Sequence, residues 1–96
     1  MERMYVLVRK DLTEIQQAVQ AGHALAEYLL NHKTNWTNGT LIYLRVPNEE
    51  VLSRWYSKLK HKGIACEVFR EPDLDHELTA LAAVSCAKVF RSLKLL

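Results

Sequence analysis

Short apolar segments that alternate with longer amphipathic segments constrain the fold of this chain more than any other feature. Residues 4–9 (MYVLVR) and 40–46 (TLIYLRV) are apolar on both alternating faces, which is typical of strands covered by helices on two sides. Between them, Thr13 and Gln16 fit a capping box, and Asn31 precedes a polar, turn-rich segment. We therefore expect a strand, a helix that opens at Thr13 and ends near Asn31, and a second strand.

The first helix carries two contrasting stripes. Its apolar residues recur at helical spacing, so we expect them to form one continuous buried face: Ile15, Ala18, Val19, Gly22, Leu25, Ala26 and Leu29. Roughly opposite lies a polar stripe: Gln16, Gln20, His23 and Glu27. Amide and imidazole groups suit the binding of a sugar, a phosphate or an ester carbonyl, whereas the alternative is the ordinary solvated face of an amphipathic helix.

The second half of the chain repeats the alternation and then changes it. Pro47 ends the second strand, and Asn48 is the predicted N-cap of a second helix that Gly63 closes. The buried stripe of this helix comprises Val51, Leu52, Trp55 and Leu59. Residues 64–69 and 78–84 read as a third and a fourth strand. The tail, residues 85–96, places Cys86, Val89, Phe90 and Leu93 at helical spacing, which favours a final helix, with a strand-like end as the alternative.

This order predicts a three-layer α/β sandwich in one domain, residues 1–96. Helical crossovers imply parallel strand connections, and the short link between the third and fourth strands permits an antiparallel edge strand. The chain has no apolar run near the ~20 residues that span a bilayer, so we expect no membrane association. Cys66 and Cys86 lack CxxC spacing, which favours reduced thiols in a cytoplasmic protein. We expect both cysteines to act as small buried hydrophobes.

Charge leaves the class of partner open. Thirteen Lys and Arg against eleven Asp and Glu give a net charge of +2, which neither requires nor excludes RNA. Arg54, Lys58 and Lys62 form a basic ridge at helical spacing, usually a solvated face but a candidate phosphate contact if the ligand is RNA. An acidic loop follows the third strand and contains Glu71, Asp73, Asp75, His76 and Glu77. Such groups suit a general base, but no EF-hand or HExxH spacing accompanies them, so we predict no metal site.

Five short segments resemble one known family. They are Arg9-Lys10-Asp11-Leu12, residues 18–24 (AVQAGHA), Arg70-Glu71-Pro72-Asp73, residues 78–82 (LTALA) and the closing residues 93–96 (LKLL). In this order and placement they resemble the archaeal and eukaryotic type of peptidyl-tRNA hydrolase, the type II family. The family's helix motif, Ala-Ala-Gln-x-x-His-Ala, is moderately specific, and its order and placement with the other segments are much more so.

The resemblance implies a four-stranded mixed sheet with one antiparallel strand between helices, often in a dimer. It also implies hydrolysis of the ester that joins a peptide to tRNA, without a cofactor. The residues that match the family's site are Gln20, His23 and Thr79, with Glu71 in place of the family aspartate. These four are our candidate catalytic residues, and the candidate RNA contacts are Lys10, Arg54, Lys58 and Lys62.

The departures from the family pattern keep two other functions open. Gln16 stands where the family has lysine, Asp75 stands where threonine is expected, and the loop before the last strand is shorter. Loss of one electrostatic donor costs roughly 10² to 10³ in rate, unless Lys10 or a partner's basic residue compensates. The alternatives are a catalytically impaired tRNA-binding or RNA-binding module, and a self-associating or protein-binding domain whose polar stripe is merely solvated.

Overall fold

The computed structural model describes residues 2–85 and 87–96, which form a four-stranded sheet and two long helices. The elements in chain order are β1 (Arg3–Arg9), α1 (Glu14–Asn31), β2 (Leu41–Val46), α2 (Glu49–His61), β3 (Cys66–Glu71) and β4 (Glu77–Ser85). The strand order is β2-β1-β4-β3. β1 and β2 are parallel, whereas β4 is antiparallel to both of its neighbours, β1 and β3. The predicted mixed sheet with one antiparallel strand is therefore confirmed.

The antiparallel strand occupies the interior of the sheet and not the edge position that the short link permits. Six consecutive residues of β4, from Leu78 to Ala83, are buried. A strand that is apolar over both faces needs cover on both sides, and an interior position also pairs the backbone groups along both of its edges.

The two helices cover opposite faces of the sheet, which confirms the three-layer α/β/α architecture. One core lies between the sheet and α2 and includes Tyr5, Leu7, Leu52, Leu59 and Leu81. The other lies between the sheet and α1 and includes Met4, Val6, Ala21, Ala24 and Ala80. Both N-caps are those that the sequence predicts, since Thr13 Oγ1 accepts from Gln16 N at 3.2 Å and Asn48 Oδ1 accepts from Val51 N at 3.0 Å.

The predicted buried stripe of α1 instead faces outward. Ile15 is 77% exposed, Leu29 46% and Val19 43%. The face that packs on the sheet consists of Gln17, Gln20, Ala21, Ala24 and Tyr28. Alanines on this face let the helix approach the alanines of β4 closely, and the buried amides are compensated by hydrogen bonds.

The predicted helix over residues 85–96 does not form in the residues that the structure describes. β4 continues to Ser85, Ala87–Phe90 form one short 3₁₀ helix, and Leu95 then bridges to Leu44 of β2 in an antiparallel sense. Phe90 is buried against the rings of Tyr5 and Trp55 and anchors this tail. The end is therefore strand-like, and it covers part of the open edge of β2, where unpaired backbone groups would otherwise be exposed. Cys86, which the sequence placed in this helix, lies outside the described residues.

Two further expectations concern the burial of Cys66 and the lack of a membrane-spanning segment. Cys66 is buried in the core beside α2, and burial raises the pKa of its thiol, which disfavours the nucleophilic thiolate. Neither long helix in the described ranges has the length and hydropathy that a bilayer crossing requires.

A buried arginine fastens the end of β1 to the start of β4. Arg9 is only 7% exposed, and its Nε and Nη2 donate to the two carboxylate oxygens of Asp11, each at 3.0 Å. Its Nη1 donates to Glu77 Oε1 at 2.7 Å and to the Leu78 carbonyl at 2.9 Å. These hydrogen bonds from the Arg9 guanidinium hold the pKa of the Asp11 carboxyl below its ordinary value. Asp11 therefore contributes its share of this cluster's stabilisation only while its carboxyl is ionised.

Replacing Asp11 with asparagine should lower the urea midpoint of unfolding at neutral pH but not at strongly acidic pH. Because the pKa of Asp11 is lower in the folded than in the unfolded chain, its contribution is complete above the unfolded-state pKa and is lost as the pH falls through the folded-state pKa. We expect a loss of about 1 kcal/mol at neutral pH, since the carboxylate is partly exposed and solvent screens the pair.

Asp73→Asn is the matched control, because Asp73 is exposed in the loop after β3. It should leave the midpoint unchanged at both pH values. An Asp11→Asn effect of equal size in acid would show that the carboxylate charge is not its cause.

Candidate functional site

A buried glutamine links three segments that are far apart in sequence. Gln20 on α1 has no exposed surface, and its Nε2 donates to Glu71 Oε1 at 2.9 Å and to Gln16 Oε1 at 3.1 Å. Thr79 Oγ1 donates to Gln20 Oε1 at 2.6 Å. Thr79 is also fully buried, whereas Glu71 and Gln16 retain access to solvent. The helix amide, the strand hydroxyl and the carboxylate at the end of β3 therefore form one hydrogen-bonded chain, which we call the Gln20 network.

An irregularity in β4 turns Thr79 toward α1. Phe69 pairs with Ala80 and Arg70 pairs with Leu78, so Thr79 is an extra residue opposite the junction between Phe69 and Arg70. Strict alternation would place Thr79 on the face opposite Ala80. Because of the bulge, Thr79 and Ala80 both face α1, whereas Leu78 packs in the core beside α2. β-Bulges re-aim side chains in this way next to functional sites.

Two residues that our sequence interpretation did not assign to the site hold this bulge. The Leu78 carbonyl accepts from Arg9, and the Leu78 amide donates to Glu49 Oε2 at 2.8 Å. The carbonyl and the amide of Leu78, the residue before Thr79, are thus both bound by charged side chains. Hydrogen bonds to charged groups are strong. The Arg-x-Asp spacing of Arg9 and Asp11 at a strand end was a usable sequence signal, whereas Glu49 reads only as an acidic residue in the first turn of a helix.

Glu71 lies where β3 ends and the chain turns back into β4. It shares the α1 side of β3 with Phe69, two residues before it. A short 3₁₀ helix, Pro72–Leu74, follows, and Asp75 and His76 then adopt left-handed backbone with φ of 53° and 59°. His76 N donates to the Glu71 carbonyl at 3.0 Å and closes the turn. A carboxylate held on one side by Gln20 and open to solvent on the other can orient a water molecule.

The acidic loop is divided between two structural roles. Glu71 belongs to the Gln20 network, and Glu77 pairs with Arg9. Asp73, Asp75 and His76 are exposed. In the described part of the chain, no three His, Cys, Asp or Glu side chains converge well enough to hold a metal ion.

His23 lies beside the Gln20 network, with its ring on Phe69. The two ring centroids are 4.1 Å apart and the planes differ by 7°, so the imidazole is stacked on the aromatic ring. His23 is exposed. Glu27, the last member of the predicted polar stripe, accepts hydrogen bonds from Asn31 near the helix end. The predicted polar stripe is therefore split. Gln16, Gln20 and His23 lie near Glu71, whereas Glu27 lies apart from them.

The candidate RNA contacts fall on two different parts of the molecule. Arg54, Lys58 and Lys62 lie along α2, on the face of the sheet opposite α1. Arg54 pairs with Glu50 at 2.7 Å, and Lys58 Nζ lies 4.6 Å from the centroid of the Trp55 ring. Lys10 follows β1 and lines a groove of about 380 Å³ together with Arg45 and Lys94.

This groove and Glu71 lie at the same end of the sheet, where the three parallel strands finish. β1, β2 and β3 run in the same direction, so their carboxyl ends, at Arg9, Val46 and Glu71, lie at the same edge. The groove lies at the ends of β1 and β2, and Glu71 lies at the end of β3, so two to three strand spacings, or ~10–14 Å, separate them.

Comparisons with known proteins agree with this architecture. A solved structure of a protein of unknown function, Atu0240 from Agrobacterium tumefaciens strain C58, superposes with a TM-score of 0.75 at 11% sequence identity. The match covers 99% of this chain and 97% of that protein and concerns the fold alone. A comparison with curated proteins finds no significant match. The sequence profile of the peptidyl-tRNA hydrolase PTH2 family matches residues 2–96, so the chain belongs to the peptidyl-tRNA hydrolase PTH2 family.

Proposed function

We propose that this protein hydrolyses the ester bond between the peptide and the tRNA of peptidyl-tRNA. The observation that carries the proposal is the Gln20 network, which holds a solvent-accessible carboxylate, Glu71, in a fixed position beside Gln16, while His23 stacks on Phe69 of the same strand. Membership of the peptidyl-tRNA hydrolase family supports the reaction class. Since peptidyl-tRNA arises in translation, we place the protein in the cytoplasm.

In the proposed reaction, Glu71 acts as the general base. Its carboxylate accepts a proton from a water molecule while the water oxygen forms a bond to the ester carbonyl carbon. The bond between this carbon and the ribose oxygen then breaks, and the ribose oxygen leaves with the proton that Glu71 returns. The products are a tRNA with a free terminal hydroxyl and a peptide with a carboxylic acid, which releases the second proton of the water to solvent and becomes a carboxylate. We assign the exposed amide of Gln16 as the donor to the developing oxyanion.

We assign Gln20 and Thr79 a positioning role. Both are fully buried, and their side-chain groups are hydrogen-bonded to one another, to Gln16 and to Glu71. They are therefore not free to bind the ester carbonyl as well. A network of this kind rigidifies its members, so it fixes the direction in which Glu71 presents its free oxygen.

Glu71→Gln should reduce kcat/KM on peptidyl-tRNA by roughly 10² to 10⁴, because the amide cannot accept the proton of water. The affinity for tRNA should not change. Release of free tRNA measures the rate, and Asp73→Asn in the same loop is the matched control. Activity that survives Glu71→Gln would overturn the assignment of the general base.

Thr79→Val should lower kcat by about tenfold or more with little change in KM, since it removes the hydroxyl that orients Gln20 and leaves the side-chain shape almost unchanged. Thr79→Ser should restore most of the rate. If serine fails to rescue activity and both variants fold as the parent does, the hydroxyl has no positioning role.

Gln16→Lys should raise kcat/KM by about tenfold to a hundredfold, because a cation next to Glu71 would bind the developing negative charge better than a neutral amide. Gln16→Met has similar length without charge or donor and should not raise the rate. An unchanged rate in Gln16→Lys would show that the cation expected from the family pattern is dispensable here.

We further propose that the groove lined by Lys10, Arg45 and Lys94 binds backbone phosphates of the tRNA. All three side chains are exposed, and none forms an ion pair with another residue in the described ranges. The groove walls are fixed, since Lys10 N donates to the Val46 carbonyl at 2.8 Å and Arg45 N donates to the Lys94 carbonyl at 2.9 Å. Cations on a rigid groove suit phosphate binding and would position the strand without reading its sequence.

Replacing Lys10, Arg45 and Lys94 together with alanine should raise KM for peptidyl-tRNA at least tenfold and reduce the slope of log affinity against log salt by about two. Hydrolysis of a peptidyl-adenosine ester, which lacks phosphates, should be unchanged. The matched control replaces Arg54, Lys58 and Lys62 of α2. A larger effect from the α2 variant would overturn the groove assignment without affecting the proposed reaction.

An RNA-binding module without activity is the second candidate function, favoured by the neutral Gln16 where the family has lysine. It requires salt-dependent tRNA binding through the same groove, with no turnover of peptidyl-tRNA above that of buffer. The Glu71→Gln measurement separates the two, because only the hydrolase has a rate to lose.

A further inference from the structure

The two outer edges of the sheet differ in their cover. On the β2 side the tail pairs with the strand, since Arg45 N donates to the Lys94 carbonyl at 2.9 Å and Leu96 N donates to the Tyr43 carbonyl at 3.0 Å. β3 forms the other side, and in the residues that the structure describes only β4 pairs with it. An uncovered strand presents backbone donors and acceptors to which an extended chain can add. We call this outer side of Cys66–Glu71 the β3 outer edge.

The backbone groups of β3 that point outward belong to Val68 and Arg70. The carbonyl of Phe69, between them, accepts from Thr79 Oγ1 of β4 at 3.3 Å, so it points toward β4. Leu78 is the β4 residue opposite Arg70, yet its amide and carbonyl bind charged side chains instead. Because backbone groups alternate sides along an antiparallel strand, the N–H and C=O groups of Val68 and Arg70 point away from β4. The β3 outer edge therefore offers two donors and two acceptors.

The β3 outer edge leads to the candidate general base. Glu71 is the last residue of β3, and its carboxylate accepts from Gln20 Nε2 at 2.9 Å on the α1 side of the strand. Pro72 follows, and because proline has no backbone N–H, it cannot extend a ladder of hydrogen bonds. A chain that pairs along this edge therefore loses its last backbone partner beside Glu71.

Given the proposed function, on which this step rests, we infer that the peptide part of peptidyl-tRNA adds to the β3 outer edge as a fifth, parallel strand. The ester is at the carboxyl end of the peptide, and Glu71 is at the carboxyl end of β3, so the two chains run in the same direction. An antiparallel peptide would place its amino end at Glu71. The parallel direction also leaves the tRNA at the end of the sheet where Lys10, Arg45 and Lys94 line their groove.

Parallel pairing fixes which peptide groups bond to β3. Each outward residue of β3 bonds to the two peptide residues that flank its opposite neighbour. With the esterified residue opposite Glu71, its N–H donates to the Arg70 carbonyl. The third residue from the ester accepts from the Arg70 amide and donates to the Val68 carbonyl, and the fifth accepts from the Val68 amide. The N–H groups of the second and fourth residues point away from β3.

Recognition of this kind uses the main chain of the peptide and not its side chains. The Val68 and Arg70 groups bind amides that every peptide carries, whatever its sequence, except where proline lacks the N–H. A single esterified residue makes one of these hydrogen bonds, whereas a peptide of five residues makes all four. The ligand class is therefore an extended peptide ester, and kcat/KM should rise with peptide length up to five residues.

N-methylation of single peptide bonds tests this register. The substrates are pentapeptidyl-adenosine esters of one sequence, with the methyl group on the nitrogen of either the second or the third residue from the ester. Methylation of the third residue should lower kcat/KM roughly tenfold or more, because it removes a donor and places a methyl group against the Val68 carbonyl. Methylation of the second residue is the matched control and should leave kcat/KM nearly unchanged. Equal losses at both positions, or a larger loss at the second, would overturn the parallel pairing.

Val68→Pro tests the same edge from the side of the protein. It removes an N–H that is not part of the ladder to β4, and edge strands accept proline at such positions. The variant should lower kcat/KM on the pentapeptidyl ester by roughly tenfold, because the fifth residue loses its donor, and should leave a tripeptidyl ester unaffected. Val68→Ala keeps the N–H and should not discriminate between the two esters. A Val68→Pro chain with the parent's circular dichroism spectrum and the parent's rates on both esters would contradict the inference.

Binding of an analogue that cannot be cleaved separates the β3 outer edge from the proposed hydrolysis. In the analogue an amide replaces the ester, and isothermal titration calorimetry measures its affinity for the full chain. A chain that cleaves no ester but binds the analogue more weakly after methylation of the third residue than of the second would lose the proposed reaction and keep the peptide site. Turnover with no difference between the two methylated esters would keep the reaction and remove the peptide site.

Discussion

The extra residue in β4 is the constraint on which the candidate site depends. Without this extra residue, the alternation of side chains along the strand would direct Thr79 away from α1. The side-chain oxygen of Gln20 would then be buried without a hydrogen-bond donor. An unsatisfied polar group of this kind costs roughly 1–3 kcal/mol. The bulge is compatible with a stable sheet because Arg9 and Glu49 bind the two backbone groups of Leu78 that flank it. The ion cluster around Arg9 holds the bulge, and the bulge directs the Thr79 hydroxyl to the buried side-chain amide of Gln20. The Gln20 network therefore depends on the ion cluster.

The strands and helices could be predicted from the sequence because their signals are local. Apolar runs, the caps at Thr13 and Asn48, and the acidic first turn of α2 each depend on neighbouring residues, and the structure contains all of these elements. The position of β4 inside the sheet and the conformation of the tail depend on contacts between distant segments. For the tail, helical spacing of Val89, Phe90 and Leu93 also fits an irregular segment that is anchored by one buried ring.

The orientation of α1 shows where periodicity analysis fails in principle. The analysis assumes that the most apolar face is the buried one. Here the buried face contains Gln17 and Gln20 with small alanines, and its polar atoms are satisfied by hydrogen bonds to Leu12, Glu71 and Thr79. The helix sequence by itself does not distinguish a glutamine whose side chain is buried and hydrogen-bonded within the protein from a glutamine that is exposed to water. The residue pattern drew attention to Gln20 and to Glu71 separately, but their combination with Thr79 could be proposed only from resemblance, since the partners of Gln20 lie 51 and 59 positions away along the chain.

The polar character of the buried face of α1 and the apolar character of its exposed face are related. A chain of 96 residues buries a limited fraction of its surface, and here one helix face in the core is given to polar groups that orient Glu71. Apolar residues that would normally fill such a face instead lie on the solvent side of the helix, as Ile15, Val19 and Leu29 do. The inner face of α1 therefore holds Glu71 in place through Gln20, while the most apolar face of the helix stays in contact with solvent.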